Sequence, residues 1–158
     1  LGRQPAARLV ARVLCVRLLM VTIEDIYNFI EKECGIEAGK LSPDSDIFGD
    51  FGVYGDDFDD LMSAYSKEFG VNLDAYVWYF HSCEEVSSPF AFIFPPPNRR
   101  VSRIIITPAL LVKCANLKSW AVTYPVHTLP KRRWDILVLQ IFFVLAGLAG
   151  LIIGFWRT

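Results

Sequence analysis

Residues Gly55–Gly70 read GDDFDDLMSAYSKEFG. Phe58, Leu61, Met62, Tyr65 and Phe69 stand at offsets 0, 3, 4, 7 and 11, the spacing that lines one face of a helix with apolar side chains. Asp56 or Asp57 can cap its start, and Gly70 is a stop. The acids fall between the apolar positions, so the predicted helix is half core and half charged surface.

Upstream, Ile23, Ile26, Tyr27 and Ile30 repeat the helical spacing at offsets 0, 3, 4 and 7. Thr22 is the expected N-cap, with Asp25 three residues on as a capping box, and Gly35 is the stop. A long loop joins the two helices, and Leu41, Ile47, Phe48, Phe51 and Val53 can pack beneath it. Downstream, Asp74 is a candidate cap for a short third helix containing Tyr76, Val77, Tyr79 and Phe80. A boundary over Ser87–Pro97 ends in three prolines, and Arg103–Ile106 reads as a short extended piece. Thr107 and Pro108 form a cap and first-turn pair, with Leu110, Leu111, Cys114 and Leu117 on the inner face of the helix they open.

Ile136–Phe155 reads ILVLQIFFVLAGLAGLIIGF, with Gln140 its one polar side chain. At about 1.5 Å per residue this covers about 30 Å, the thickness of a bilayer core. Trp134 and Trp156 stand at its ends, where amphipathic rings favour the headgroup region. Lys131, Arg132 and Arg133 precede it and Arg157 follows. That asymmetry predicts a single-pass protein, of tail-anchored appearance, with its N-terminal domain in the cytoplasm. Ala146, Gly150 and Gly154 recur every four residues and offer a close-packing face for a homodimer.

The net charge of −1 hides an uneven distribution. Met20–Phe90 holds sixteen acidic residues against Lys32, Lys40 and Lys67, whereas the leader over 1–19 has four arginines and no acid. The leader reads either as a basic amphipathic or transit-like helix or as upstream sequence that is not translated, with Met20 as the start. Cys15, Cys34, Cys83 and Cys114 stand far apart, which fits buried thiols and offers no zinc spacing. The predicted order is the leader over 1–19, an acidic domain over 20–120, a basic juxtamembrane linker over 121–135 and a membrane helix over 136–156.

Helix, long loop, acidic helix start, Glu68-Phe69-Gly70-Val71 and a short third helix together resemble the layout of acyl carrier proteins. Asp50–Met62, with Gly55-Asp56-Asp57, resembles their modification site. This Gly-Asp-Asp signature is similar to that of uncharacterised acyl-carrier-protein-like proteins of enteric bacteria. Their aromatic third helix and late Thr-rooted helix correspond to Tyr79-Phe80 and to Thr107–Trp120. The resemblance covers Met20–Trp120 and implies a mainly α bundle, followed here by the membrane helix. It also locates a departure. The serine that takes a phosphopantetheine arm falls at Gly55, which has no hydroxyl. Ser63 and Ser66 come two and three turns too late. The expectation is a module without cofactor or enzymatic activity; the alternative is a working carrier with a displaced attachment site.

Asp56, Asp57, Asp59 and Asp60 admit three readings: complements to the helix dipole, a docking surface for a basic protein, or a cation site. Their spacing does not fit a calcium loop, so no metal is expected. His81 and His127 lack metal-ligand spacing and read as surface or interfacial residues. No P-loop, GxGxxG or GxSxG motif is present. Arg99, Arg100 and Arg103 read as an ordinary solvated loop or as a contact for lipid headgroups or the acidic helix, either of which suits them better than nucleic acid, which the neighbouring domain would repel.

Overall fold

A computed structural model describes residues 20–85 and 88–157. The leader with Cys15, and Ser87 in the boundary segment, lie outside the described residues. Four helices account for the described architecture: α1 (Ile23–Cys34), α2 (Gly55–Phe69), α3 (Pro108–Leu117) and α4 (Trp134–Arg157). Short 3-10 turns occupy Ala38–Lys40, Trp78–Phe80 and Pro97–Arg99, and the described residues contain no strand.

The Thr22 box forms as its sequence predicts. The Asp25 N–H donates to Thr22 Oγ1 at 3.3 Å, and the Thr22 N–H donates to Asp25 Oδ2 at 2.8 Å. Gly35 closes α1 in the left-handed conformation, with φ 69°. The helix buries Ile26, Phe29 and Ile30 against Phe58, Leu61, Met62 and Tyr65 of α2. Each such side chain contributes about 1.5–3 kcal/mol on leaving water. Tyr65 also donates from its hydroxyl to the Leu111 carbonyl at 2.6 Å, which ties α2 to α3 inside the core. Asn116 at the far end of α3 exchanges two 2.9 Å hydrogen bonds with the Val21 backbone, fixing the entry to α1.

The α1–α2 loop is pinned from both sides. Leu41, Ile47 and Val53 are buried beneath it, with Phe48 and Phe51 partly so. Arg103 grips Asp46 through both guanidinium nitrogens and lies 4.7 Å from the centre of the Phe48 ring. Arg103 is therefore committed to a loop carboxylate, not to the acidic helix. Its hydrogen bonding, more than its charge, holds the Asp46 carboxyl below its ordinary value.

Three expectations for the helices need correction. Asp74 does not cap a third helix. Its N–H donates to Asn72 Oδ1 at 2.6 Å, and the short Trp78–Phe80 turn starts after Val77 without a side-chain cap. The inner face of α3 is Pro108, Leu111, Cys114 and Ala115, while Leu117 is exposed. At about 100° per residue that face is rotated toward Ala115, which leaves the last leucine outside it. Asp56 and Asp57 do not cap α2, whose start is completed by distant residues described below.

The tail helix α4 begins two residues before the predicted span. Trp134–Trp156 is long and apolar enough to cross a membrane, and the domain buries none of its apolar window. A soluble core helix would be covered, so this exposure points to a single-pass membrane protein. Arg133 anchors its base. The guanidinium reaches Glu84 Oε1 at 2.7 Å and Asp135 Oδ2 at 2.6 Å. One of the three cations preceding the span is thus neutralised within the chain.

Candidate functional site

The start of α2 is built from two places in the sequence. Gly55 has φ +60°, a conformation costly for any residue with a Cβ. Its N–H donates to Ser82 Oγ at 3.1 Å, and the next N–H, of Asp56, donates to Glu85 Oε1 at 3.2 Å. The side-chain oxygens that a local cap would supply come instead from 27 and 29 residues downstream. A Cβ placed on Gly55 would fall far inside van der Waals contact distance of Glu85 Cγ. The Glu85 side chain thus occupies the space in which a side chain at position 55 would stand.

Ser82 brings a hydroxyl to this helix start, but it is only 4% exposed and serves as an acceptor. Of the two later serines, Ser66 donates to the Val71 carbonyl at 2.7 Å, and Ser63 lies on the exposed side of α2.

The four aspartates are exposed and divide between two clefts. Asp56 and Asp59 line a cleft of about 420 Å³ with Trp78, Ser82, Glu84 and Glu85. Asp57 and Asp60 line another of about 360 Å³ with Glu33, Cys34 and Val53. Together they cover roughly 160° of the helix circumference, so the charge forms a wide arc and not a single point. Burial, reinforced by Asp56 and Asp60, raises the Asp59 carboxyl above its ordinary value. Among the described residues no ion pair joins these four aspartates to a cation, which suits a positive partner. Among the described residues no group of three His, Cys, Asp or Glu could hold a metal ion.

The cysteines beside these clefts are poor nucleophiles. Burial, then Asp57 and Glu33, push the Cys34 thiol up to about 11, and burial raises Cys83 too. Both are free thiols, as is buried Cys114.

His81 is not a surface residue. It is 1% exposed, stacked on Tyr76 with ring centres 5.3 Å apart and set edge-on to Trp120. Its Nδ1 lies 2.8 Å from the Ile104 carbonyl, which can only accept, so Nδ1 carries the proton. Tyr124 accepts from the Val77 N–H and the Trp120 indole N–H, then donates its own proton to His81 Nε2 at 2.8 Å. The ring is thereby fixed as one neutral tautomer, and Tyr124, expected in the linker, belongs to the domain's packing. His127 is exposed and meets the Tyr79 hydroxyl at 2.5 Å. Sequence reasoning missed Ser82, Glu85 and Tyr124 because each acts on a residue far away along the chain.

On α4, Ala146, Gly150 and Gly154 are exposed, and a Cβ at either glycine would meet nothing within 4 Å. Among the described residues nothing covers this stripe.

Neither a curated protein nor a solved structure matches the chain. The profile of a family described as Protein of unknown function (DUF1493) matches residues 20–120, and the chain belongs to that family.

Proposed function

We propose that this chain is a membrane-anchored, non-enzymatic interaction module, acyl-carrier-protein-like in layout, that offers the acidic face of α2 to a basic protein. The observation that carries this reading is the start of α2. At the position matching the carrier serine stands Gly55, and the space beyond it is filled by Glu85. The exposed arc of Asp56, Asp57, Asp59 and Asp60 remains as the feature able to recruit a partner, through long-range attraction. The raised Cys34 and Cys83 thiols and the protected Ser82 support a role without covalent chemistry.

The proposed setting is the inner membrane of a bacterium, with the domain on the cytoplasmic side. Lys131 and Arg132 before α4 support that orientation. The test is partner capture from solubilised membranes by the full chain and by the Asp57→Lys, Asp60→Lys double variant. The reversed chain should lose the partner, and added salt should weaken capture by the native chain. Equal, salt-insensitive capture by both overturns the docking role. Intact mass after co-expression with a broad-specificity phosphopantetheinyl transferase should be unchanged. A gain of one phosphopantetheine would instead establish a working carrier with a displaced site.

A further inference from the structure

Pro89–Phe94 reads PFAFIF, six residues without a polar side chain. Ala91 is buried, but the turn stands apart from the main core cluster. Ser88 Oγ donates to the Asp135 carbonyl at 3.3 Å, and the Phe90 ring lies 6.1 Å from that of Phe142. Phe142 stands seven residues beyond Asp135, about 10 Å along the helix axis. The turn therefore runs beside the first two turns of α4. Phe92 is 81% exposed and Ile93 56% exposed at that level.

A segment lying beside a membrane helix is favoured by bonding most of its own backbone, because lipid offers no hydrogen bonds. The N–H groups of Ala91, Ile93 and Phe94 donate to carbonyls of Ser88 and Phe90 at 2.9–3.0 Å. That of Phe90 donates to Ser88 Oγ at 3.2 Å and Pro89 has no N–H, so the Phe92 N–H is the one donor of the turn with no acceptor among the described residues. Polar groups gather at one edge of the turn. Phe94, Pro95, Arg100, Arg132 and Trp134 share a small cavity of about 90 Å³. Arg100 gives its Nε–H to the Pro95 carbonyl at 2.7 Å and is itself exposed. Guanidinium groups and an indole at the base of an apolar wedge match the headgroup layer of a bilayer.

We propose that the Pro89–Phe94 turn is a second membrane contact: Phe92 and Ile93 enter the same leaflet as the start of α4, with Arg100 and Arg132 at the lipid phosphates. This rests on α4 being a membrane helix. The turn then does what α4 alone cannot, fixing the domain's rotation and height on the membrane surface through two contacts and not one.

The test is site-specific photocrosslinking of the full chain in its membranes, read by mass spectrometry. A benzophenone analogue of phenylalanine replaces Phe92, Leu145 within α4, or Glu24 on α1. The expected result is lipid adducts at 92 and 145 and none at 24. Lipid at 145 alone overturns the wedge while leaving the membrane helix intact. Protein adducts at 92 replace the wedge with a protein-binding surface. Absence of lipid at 145 removes the membrane reading of α4, and the wedge with it. Equal lipid labelling at all three positions reflects collision alone and also overturns the proposal.

Discussion

α1 and α2 pack against each other over matching apolar faces, yet they begin in opposite ways. α1 carries its own cap. Thr22 and Asp25 satisfy each other's backbone N–H groups within four residues of sequence. α2 carries none, and Ser82 and Glu85 arrive from the other side of the Trp78–Phe80 turn to accept from Gly55 and Asp56. A local cap forms whenever its helix does. A borrowed cap forms only when the domain has closed, so the start of α2 reports on the integrity of a distant segment. That segment also carries Glu84, which holds Arg133 at the base of α4. Residues 82–85 thus join the acidic helix to the tail helix through three neighbouring side chains.

The sharpest way to break this contrast is to give α2 the serine that a carrier protein would have. Gly55→Ser places a Cβ at φ +60° and drives it into Glu85. The backbone penalty is about 1–2 kcal/mol, and expelling Glu85 from the Asp56 N–H brings the total to about 3 kcal/mol. Denaturant unfolding of the full chain in detergent micelles measures it. In a Glu85→Ala background the cost should fall to the backbone part alone, about 1–2 kcal/mol. An equal cost in both backgrounds would mean that Glu85 does not hold position 55.

Removing a cap hydroxyl from each helix sharpens the comparison at smaller scale. Thr22→Ala removes an exposed cap, which water can partly replace, and should cost about 1 kcal/mol. Ser82→Ala strands the Gly55 N–H beside a buried methyl and should cost about 1–3 kcal/mol. Amide exchange separates the two. Thr22→Ala should loosen the first turn of α1 only, whereas Ser82→Ala should loosen Gly55 and Asp56 without touching α1.

What the sequence revealed follows the same division. The apolar faces of α1 and α2 and the Thr22 box were legible because each is decided by residues three or four apart. So was the length of α4, which rests on composition. The cap of α2 was misassigned to Asp56 or Asp57 because local pattern favours an acid at that place, and nothing within four residues announces Ser82 or Glu85. His81 read as a surface or interfacial residue because its partners, Ile104, Tyr124 and Trp120, lie 23 to 43 positions away. The inner face of α3 was drawn from its leucines. The structure turns it toward Pro108 and Ala115, which carry little hydropathy signal. At the candidate site the acidic residues were readable one by one. Their division between two clefts was not, since it depends on which segments flank α2.

The smallest expected effect concerns pH, and it again falls on one helix start and not the other. His81 immediately precedes Ser82, and burial holds its pKa below the ordinary histidine value, about 6.5. In the unfolded chain this ring takes up a proton near that value, while the folded chain still excludes it. The unfolded state therefore binds more protons across the interval, and stability rises with pH there. The contribution is complete above about pH 6.5 and is lost as pH falls below it, down to the depressed folded pKa. A proton on Nε2 would face a Tyr124 oxygen that already accepts from Val77 and Trp120, so the ring must leave its site to ionise. Ser82 then moves with it. Acidification should lower the exchange protection of the Gly55 and Asp56 amides, corrected for intrinsic exchange, while the Asp25 amide in the Thr22 box keeps its own. His81→Gln, neutral at every pH in this range, should flatten the response at α2. If the α2 amides lose no protection below about pH 6.5, the borrowed cap does not depend on the histidine beside it.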